Sequence, residues 1–291
     1  MPELPEVETI KRGLDVLLPG KKITAVESNW PKSFPNSPSD VEKFVIGAKI
    51  VKVTRRAKVL LIELDSGYSF VIHLKMTGQL VFRGEKTFGA GHPSHSLVGP
   101  LPDKSTRVIL TFDNQEERLF FNDQRKFGWV RLIPTIEINS IDFIKKLGPE
   151  PLSAEFTADQ LSKNLQRRPN TSIKAALLDQ TIIAGIGNIY ADECLWGARI
   201  HPASLVSKLS RQKINQLFKT IQEILRISIE KGGSTDRNYV DAKGNPGSYL
   251  SFAKVFRKEN SPCPRCGRTI IKTRVAGRGT HLCPKCQKVA K

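Results

Sequence analysis

The chain has 291 residues, which is long for one small domain and suits two domains with an appendage. Its 46 Lys and Arg against 28 Asp and Glu give a formal net charge of +18, which indicates a polyanionic partner, most simply nucleic acid. No apolar run approaches the roughly 18 residues of a membrane span, so we expect no membrane-spanning segment. Five cysteines without an export signal favour a cytosolic metal site and one spare, buried thiol, Cys194, over a disulfide framework.

Residues 1–18 predict an amphipathic helix that begins near Pro5 and ends before Gly20. Proline suits the first turn of a helix, and glycine suits the position just past its end. Apolar side chains recur on one face at helical spacing: Val7, Ile10, Leu14 and Leu17. A helix this early leaves no room for a signal peptide, so we expect a cytoplasmic protein.

Pro2 and Glu3 directly precede this helix. Methionine before proline is usually removed in cells, so we expect Pro2 to become a free secondary amine beside a carboxylate. An unprotonated amine can attack an electrophilic carbon and form a Schiff base, and the positive end of a helix disfavours the protonated amine. The alternative is an inert, frayed terminus.

Residues 21–133 read mainly as strands. Six runs are rich in β-branched or aromatic residues and are separated by turn signals: ITAVESNW, AKIVKVT, KVLLIELD, YSFVIHL, TRVILTFD and RLFFND. Their close spacing predicts an antiparallel sandwich or barrel-like domain. The Gly-, Pro-, His- and Ser-rich stretch from Arg83 to Ser105 predicts a long loop.

Beyond a linker at 147–151, the apolar pattern changes to a helical period. Thr157 and Ser210 are predicted N-caps, and residues 212–231 predict a long amphipathic helix. Residues 234–251 form a polar, Gly-containing stretch that predicts a long loop, for which a lid is one hypothesis.

Two Cys-x2-Cys pairs near the C-terminus give the most specific pattern in the chain, Cys263 with Cys266 and Cys283 with Cys286. The 16 residues between the pairs fit one tetrahedral four-thiolate zinc site on a short hairpin. Four protein ligands leave no open position, so the predicted role of this one zinc ion is structural. Two disulfides are the alternative.

The segment around these cysteines is basic. Residues 255–291 contain ten Lys or Arg and a single acid, which is typical of a nucleic-acid clamp. Arg278 lies midway between the cysteine pairs, so we expect it near the tip of the hairpin. Its simplest role is one more phosphate contact.

GIGNIY at 185–190 lacks the third glycine of a dinucleotide fingerprint, and no βαβ unit surrounds it. We interpret it as a tight turn that leads into a helix. Its amide groups and the Asn188 side chain could hold a phosphate. Glycines needed only for helix packing are the alternative.

Four stretches in order along the chain resemble the formamidopyrimidine-DNA glycosylases, which form one superfamily with endonuclease VIII. They are MPELPEVET at the N-terminus, DQRKFGWV at 123–130, GIGNIYADE at 185–193 and the four-cysteine segment at 263–286. The resemblance implies an α+β fold. Its parts are an N-terminal catalytic antiparallel β-sandwich domain with an N-terminal helix (1–133), a linker (134–151), a helical domain with a helix–two-turn–helix motif (152–254) and a C-terminal β-hairpin zinc finger (255–291).

The same resemblance implies four catalytic residues: Pro2, Glu3, Lys58 and Arg278. Pro2 would attack the sugar C1′ of a flipped nucleotide, and Glu3 would protonate the ring oxygen. Lys58 would assist β-elimination and Arg278 δ-elimination. From the residues alone, a solvated strand edge is the alternative for Lys58.

The resemblance also implies eight DNA-binding residues: Glu6, His73, Met76, Arg125, Phe127, Lys174, Asn188 and Tyr190. Met76 and Phe127 would fill the gap left by the everted nucleotide, with Arg125 facing the widowed base. A core position is the alternative for the methionine and the phenylalanine. The chain departs from the family where Ser105, with Arg107 nearby, replaces a DNA-contacting histidine, and where Pro169 falls near an expected lysine.

The implied function is base-excision repair by a monomer that associates with the nucleoid through DNA. It would remove 8-oxoguanine and formamidopyrimidines from double-stranded DNA and cleave at abasic sites. Leu4 and the PEVE that follows favour this branch over endonuclease VIII, which typically has glycine after the first Pro-Glu and prefers oxidised pyrimidines. The rival is a non-catalytic zinc-ribbon protein that binds DNA or RNA, which explains the charge and the cysteines but not the Pro-Glu start.

Overall fold

The computed structural model describes residues 2–92, 94–233 and 249–290. They fall into two compact units. The N-terminal unit comprises 2–145 with 231–233, and the C-terminal unit comprises 146–230 with 249–290. Most of the loop predicted at 234–251 therefore lies outside the described residues.

Within the described residues, the N-terminal unit has three α-helices and nine strands. The helices are α1 (Leu4–Leu17), α2 (Pro38–Phe44) and α3 (Asp142–Lys145). The strands are β1 (Ile23–Ser28), β2 (Ile50–Arg56), β3 (Val59–Leu64), β4 (Tyr68–His73), β5 (Gly78–Arg83), β6 (Phe88–Gly91), β7 (Thr106–Phe112), β8 (Arg118–Asp123) and β9 (Trp129–Pro134).

These strands form two antiparallel sheets. One has the order β1-β7-β8-β5-β6 and the other the order β2-β3-β4-β9. Apolar side chains from both sheets and from α1 form one core. This arrangement confirms the predicted sandwich, because alternating inward-facing residues of two sheets must bury each other.

Helix α1 presses closely on the sheet at β6. A Cβ on Gly13 would lie 2.3 Å from the ring of Phe88, so no larger residue fits there without a shift. The predicted apolar face is buried at Val7, Ile10 and Leu14. Leu17 is only partly buried, because the next residue, Leu18, turns into the core at the helix end.

The prediction of a long loop from Arg83 to Ser105 is wrong in part. Strand β6 lies within it and pairs with β5, with Phe82 opposite Phe88. Its sequence, FGAG, has no β-branched residue to signal a strand. Glycine is needed because a Cβ on Gly91, where φ is +128°, would lie 2.4 Å from the Gly78 carbonyl oxygen.

The described part of the C-terminal unit has five helices and one hairpin. They are α4 (Ala158–Leu165), α5 (Ile173–Leu178), α6 (Asn188–Gly197), α7 (Arg211–Glu230), α8 (Tyr249–Phe252), β10 (Ile271–Val275) and β11 (Arg278–Leu282). Both predicted caps are confirmed: the side chain of Thr157 accepts a hydrogen bond from an amide of α4 at 3.2 Å, and that of Ser210 from an amide of α7 at 3.3 Å. None of the helices in the described ranges is long and apolar enough to cross a membrane.

Two tight turns in this unit matter for the site. Gly185 has φ +86° just before α6, which confirms the predicted turn into a helix. Ala276 and Gly277 connect β10 to β11 with φ of 50° and 72°. Positive φ at both central residues is the signature of a two-residue hairpin turn of type I′, so Arg278 directly follows the hairpin tip.

Candidate active site and zinc centre

Two buried carboxylates lie at the start of α1. Glu3 is the N-cap residue and Glu6 the third helical residue, and a Glu6 carboxylate oxygen accepts the Glu3 amide hydrogen bond at 2.8 Å. Glu3 is 4% exposed and Glu6 is 9% exposed, and Pro2 is buried beside them. The positive end of the helix favours carboxylate charge at this place. A Cβ on Gly233 would lie 3.0 Å from Glu6, so only glycine fits closely here.

Lys58 belongs to the same cluster. It lies in the two-residue turn between β2 and β3, where Ala57 takes the left-handed φ of 53°. Burial lowers the pKa of the Lys58 ammonium below its ordinary value, while the carboxylates of Glu3 and Glu6 act in the opposite direction. The alternative of a solvated strand edge is therefore wrong, because the side chain is only 7% exposed. A buried lysine of lowered pKa is suited to accept a proton.

His73, at the end of β4, lies close enough to this cluster to sense its charge. Burial, followed by the positive charges of Lys75 and Lys58, lowers the pKa of His73 to about 3. The ring is therefore neutral at physiological pH. Its Nδ1 accepts the Lys75 amide hydrogen bond at 3.0 Å, so we assign the ring proton to Nε2, which can donate to an anionic oxygen.

The three residues expected to enter the DNA stack lie on two exposed turns of the N-terminal unit. Met76 is 41% exposed and Phe127 is 56% exposed, so the alternative of core positions is wrong for both. The Arg125 guanidinium lies 4.9 Å from the centre of the Phe127 ring. Exposed apolar side chains beside an arginine are the composition that base flipping uses.

Lys174, for which the resemblance implies a DNA contact, lies inside the C-terminal unit. It is 0% exposed, and its ammonium forms an ion pair with Asp192 at 2.6 Å. The same nitrogen donates to the Gly279 carbonyl at 3.1 Å and to the Thr280 hydroxyl at 2.7 Å. An ammonium group has three donors, and these three acceptors take them, so Lys174 ties α5 and α6 to the zinc hairpin. Its DNA contact stays a prediction.

Tyr190, for which the resemblance implies DNA binding, has its side chain inside the C-terminal unit. The ring is fully buried, and its hydroxyl shares a hydrogen bond with Ser228 of α7. Any DNA contact of Tyr190 would have to involve its main chain, in the first turn of α6. Asn188, the first residue of α6, donates to the Gly279 carbonyl at 3.0 Å and so joins α6 to the hairpin that carries Arg278.

Arg107 does not take over the contact of the histidine that Ser105 replaces. Its guanidinium is 7% exposed and donates to carbonyl oxygens of Asp123 at 2.9 Å, Thr106 at 3.2 Å and Lys104 at 2.7 Å. These bonds commit the side chain to holding the backbone near the start of β7.

The four terminal cysteines lie together. Their sulfur atoms are all within 4.8 Å of one another, with Cys263 and Cys286 at 4.0 Å and Cys266 and Cys283 at 3.5 Å. Tetrahedral thiolates about 2.3 Å from zinc stand about 3.8 Å apart, so the donor set fits one zinc ion. This geometry confirms the predicted structural zinc site.

The protonation of the thiols also suits a cation. Burial and the neighbouring thiols raise the pKa of Cys286 to about 12. Burial acts in the same direction at Cys263, yet donors that include the Trp196 indole lower the pKa of Cys263 to about 6. Neighbouring thiols that oppose one another's ionisation favour a cation between them, a charge that bound zinc supplies.

The sequence interpretation assigned no role to four residues that hold these parts in place. The Glu193 carboxylate accepts three backbone amides from 254–256, and Asp192 accepts the His281 amide at 2.9 Å. Asp123 and Thr77 join the two exposed turns by hydrogen bonds. Three of these residues are carboxylates inside the stretches DQRKFGWV and GIGNIYADE: Asp123, Asp192 and Glu193. Their place in these stretches is the sequence feature that could have indicated their role.

Three family profiles cover most of the chain. The formamidopyrimidine-DNA glycosylase N-terminal domain matches residues 1–130, its H2TH domain matches 147–239, and the zinc finger found in FPG and IleRS matches 260–289. A formamidopyrimidine-DNA glycosylase of Pelotomaculum thermopropionicum is 45% identical over 291 residues, which are 99% of this chain and 100% of the relative.

Two solved structures of the Lactococcus lactis protein are also similar. A mutant of that protein in complex with Fapy-dG-containing DNA has a TM-score of 0.86 and 35% identity, and covers 99% of this chain and 100% of its own. The complex with DNA that contains an abasic site has a TM-score of 0.86 and 34% identity, and covers 98% and 99%. The chain therefore belongs to the formamidopyrimidine-DNA glycosylase family of DNA-repair enzymes.

Proposed function

We propose that this chain is a bifunctional enzyme that excises 8-oxoguanine and formamidopyrimidines from double-stranded DNA and then cleaves the strand at the abasic site. The observation that carries the proposal is the buried cluster of Glu3, Glu6 and Lys58 at the start of α1, next to Pro2. The Fapy-dG and abasic-site complexes of its Lactococcus lactis relative support the choice of substrates. Monomeric action and a cytoplasmic, nucleoid-associated location belong to the same proposal, as does the four-part division of the chain.

Base release begins at Pro2 once Met1 has been removed. The Pro2 nitrogen attacks C1′ of the flipped nucleotide, and the bond from C1′ to the base breaks, with its electron pair leaving on the base, which takes a proton from water. The Pro2 nitrogen loses its own proton to the Glu3 carboxylate. Glu3 gives its proton to the ring oxygen, which opens the sugar and leaves an iminium between C1′ and Pro2. The helix end favours the neutral amine that this attack requires.

Strand cleavage follows from the iminium. Loss of a proton from C2′ and rupture of the C3′–O bond expel the 3′-phosphate, and Lys58 is the base suited to accept that proton. A second elimination, with loss of the C4′ proton and rupture of the C5′–O bond, expels the 5′-phosphate, and Arg278 stabilises the leaving anion. Hydrolysis of the imine restores Pro2.

Recognition of the DNA divides between two kinds of residue. Met76, Phe127 and Arg125 occupy the space of the flipped nucleotide, and the neutral His73 donates to the nearby backbone. Asn188 and the basic zinc hairpin contact phosphates. A non-catalytic zinc-ribbon protein would also contact phosphates, but it would have no use for a buried lysine beside Glu3.

The test is an assay of two substrates with matched variants. Glu3→Gln should lose 8-oxoguanine excision, because a closed sugar needs the acid, yet retain cleavage and borohydride trapping on a preformed abasic site, which already samples its open aldehyde. The control Glu27→Gln, at an exposed position of β1, should match the wild type on both substrates. A wild-type protein that binds abasic DNA but forms no trapped adduct would establish the zinc-ribbon alternative.

A further inference from the structure

The two turns that carry the exposed apolar residues share one backbone feature. Lys75, with φ of 50°, directly precedes Met76, and Lys126, with φ of 60°, directly precedes Phe127. The left-handed conformation is unfavourable for residues other than glycine and persists only where the surroundings hold it. We call residues 74–78 and 124–128 the wedge turns.

A single carboxylate holds both wedge turns. Asp123 is fully buried at the end of β8. One of its oxygens accepts the Thr77 hydroxyl and the Arg125 amide, the latter at 3.2 Å, and the other oxygen accepts the Gly128 amide at 2.6 Å. The Thr77 hydroxyl in turn accepts the Arg125 amide at 3.1 Å, so each turn is bonded to the other through this group.

The backbone at Gly128 is closely packed, so the second wedge turn has little room to move. A Cβ on Gly128 would lie 2.7 Å from the Phe121 ring, 3.1 Å from the Asp123 carboxylate and 3.1 Å from the His73 carbonyl oxygen. The second wedge turn therefore lies directly against the end of β4, from which the first wedge turn begins. The two turns have one mutual arrangement, fixed by hydrogen bonds and by contact.

We infer that Asp123 and Thr77 are positioning residues that hold Met76, Arg125 and Phe127 as one preformed wedge, so that they enter the base stack together. This inference rests on the proposed function. A wedge with mobile turns would have to be ordered during insertion, and that ordering would oppose unstacking of the DNA. A preformed wedge is ordered by the fold before DNA binds.

Three threonine variants test the inference. Thr77→Val keeps the side-chain shape and removes the hydroxyl, while Thr77→Ser keeps the hydroxyl. Thr106→Val is the matched control, because Thr106 is also buried and its hydroxyl bonds to the side-chain oxygen of Asn122 at 2.9 Å and to the Asp103 amide at 3.0 Å rather than to a wedge turn. Thermal melting of each variant monitors the fold.

Thr77→Val should slow single-turnover excision of 8-oxoguanine from duplex DNA about 10-fold, the expected effect of losing one hydrogen bond to a charged group. Cleavage at a preformed abasic site should fall about 3-fold or less, because less stacking has to be broken. Fluorescence of a 2-aminopurine beside the lesion, which reports unstacking without chemistry, should rise more slowly on binding. Thr77→Ser and Thr106→Val should both behave as the wild type.

Two results would overturn the inference. One is Thr77→Val with wild-type excision and wild-type 2-aminopurine kinetics. The other is an equal loss on both substrates with a lowered melting temperature in Thr77→Val and Thr106→Val alike, which would make the bond merely structural. Failure of the proposed function would instead appear in the wild-type protein, as absent excision, whatever the variants do in the fluorescence assay.

Discussion

Lys58 and Lys174 are both buried lysines for which the family resemblance implies a role on DNA, yet their surroundings differ. In the C-terminal unit, Lys174 is bonded to the Asp192 carboxylate and two further oxygens, and it fastens α6 to the zinc hairpin. In the N-terminal unit, Lys58 lies in a hairpin turn where burial outweighs two nearby carboxylates and lowers its pKa. The ion pair of Lys174 ties elements of the fold together, whereas a buried ammonium whose pKa is lowered is prepared for proton transfer.

Removal of zinc from the C-terminal unit should have the largest effect of the changes considered. Cys266→Ser should lose the ion and most DNA affinity, because a structural zinc supplies on the order of 10 kcal/mol to the fold of such a hairpin. Cys194→Ala, at a buried cysteine outside the cluster, should keep one zinc ion and normal affinity. Metal content and DNA binding at one fixed salt concentration provide the measurement, and normal affinity in zinc-free Cys266→Ser would contradict it.

Matched methionine variants of the two lysines test the contrast itself. Lys174→Met should lower the free energy of unfolding by about 3–5 kcal/mol, because it leaves the buried Asp192 carboxylate without its cation. Lys58→Met should lower it less, because burial already disfavours the Lys58 charge, yet it should slow abasic-site cleavage. Denaturant unfolding and single-turnover kinetics measure the two effects. Equal decreases in the free energy of unfolding would contradict the contrast, because both lysines would then contribute equally to stability.

The lowered pKa of His73 predicts a pH dependence of stability confined to the N-terminal unit. The folded protein keeps the ring neutral down to about pH 3, whereas the unfolded chain binds a proton near the ordinary value of 6.5. The unfolded state therefore gains the proton first, and the stabilisation that is present above pH 6.5 is lost as the pH falls toward 3.

His73→Gln should flatten this dependence by up to about 1.4 kcal/mol per pH unit. The difference in unfolding free energy between variant and wild type, measured from pH 7 to pH 4, isolates the histidine from other titrating groups. A difference that stays constant over this range would mean that His73 titrates normally.

The smallest effect should come from Tyr190, whose hydroxyl is bonded to Ser228 inside the C-terminal unit. Tyr190→Phe should lower the free energy of unfolding by about 1 kcal/mol, the typical net value of one buried hydrogen bond. DNA affinity should stay at the wild-type level, because the ring has no exposed surface. A large loss of affinity without a loss of stability would contradict this expectation and show that the Tyr190 hydroxyl contributes to DNA binding.

Local patterns were enough to predict the helix at the N-terminus, six of the strands, two helix caps and the zinc ligands. Each of these depends on neighbours in sequence: apolar periodicity, β-branched runs, capping residues and Cys-x2-Cys spacing. The resemblance supplied the residues of the site but not their surroundings. Lys174 meets Asp192 18 residues later and Thr280 106 residues later, so its burial follows from tertiary contacts that no local pattern encodes. Strand β6 escaped prediction because its glycines are required by close backbone packing and carry no strand propensity.

The central claim is that the N-terminal proline is the nucleophile, and the most direct measurement is to map the borohydride-trapped adduct. Wild-type protein trapped on abasic DNA is digested, and the peptide that carries the sugar remnant is sequenced by mass spectrometry. The account predicts the remnant on the nitrogen of Pro2, in a peptide that lacks Met1. A remnant on Lys58 or on any other lysine, or trapping by protein that still carries Met1, would contradict it.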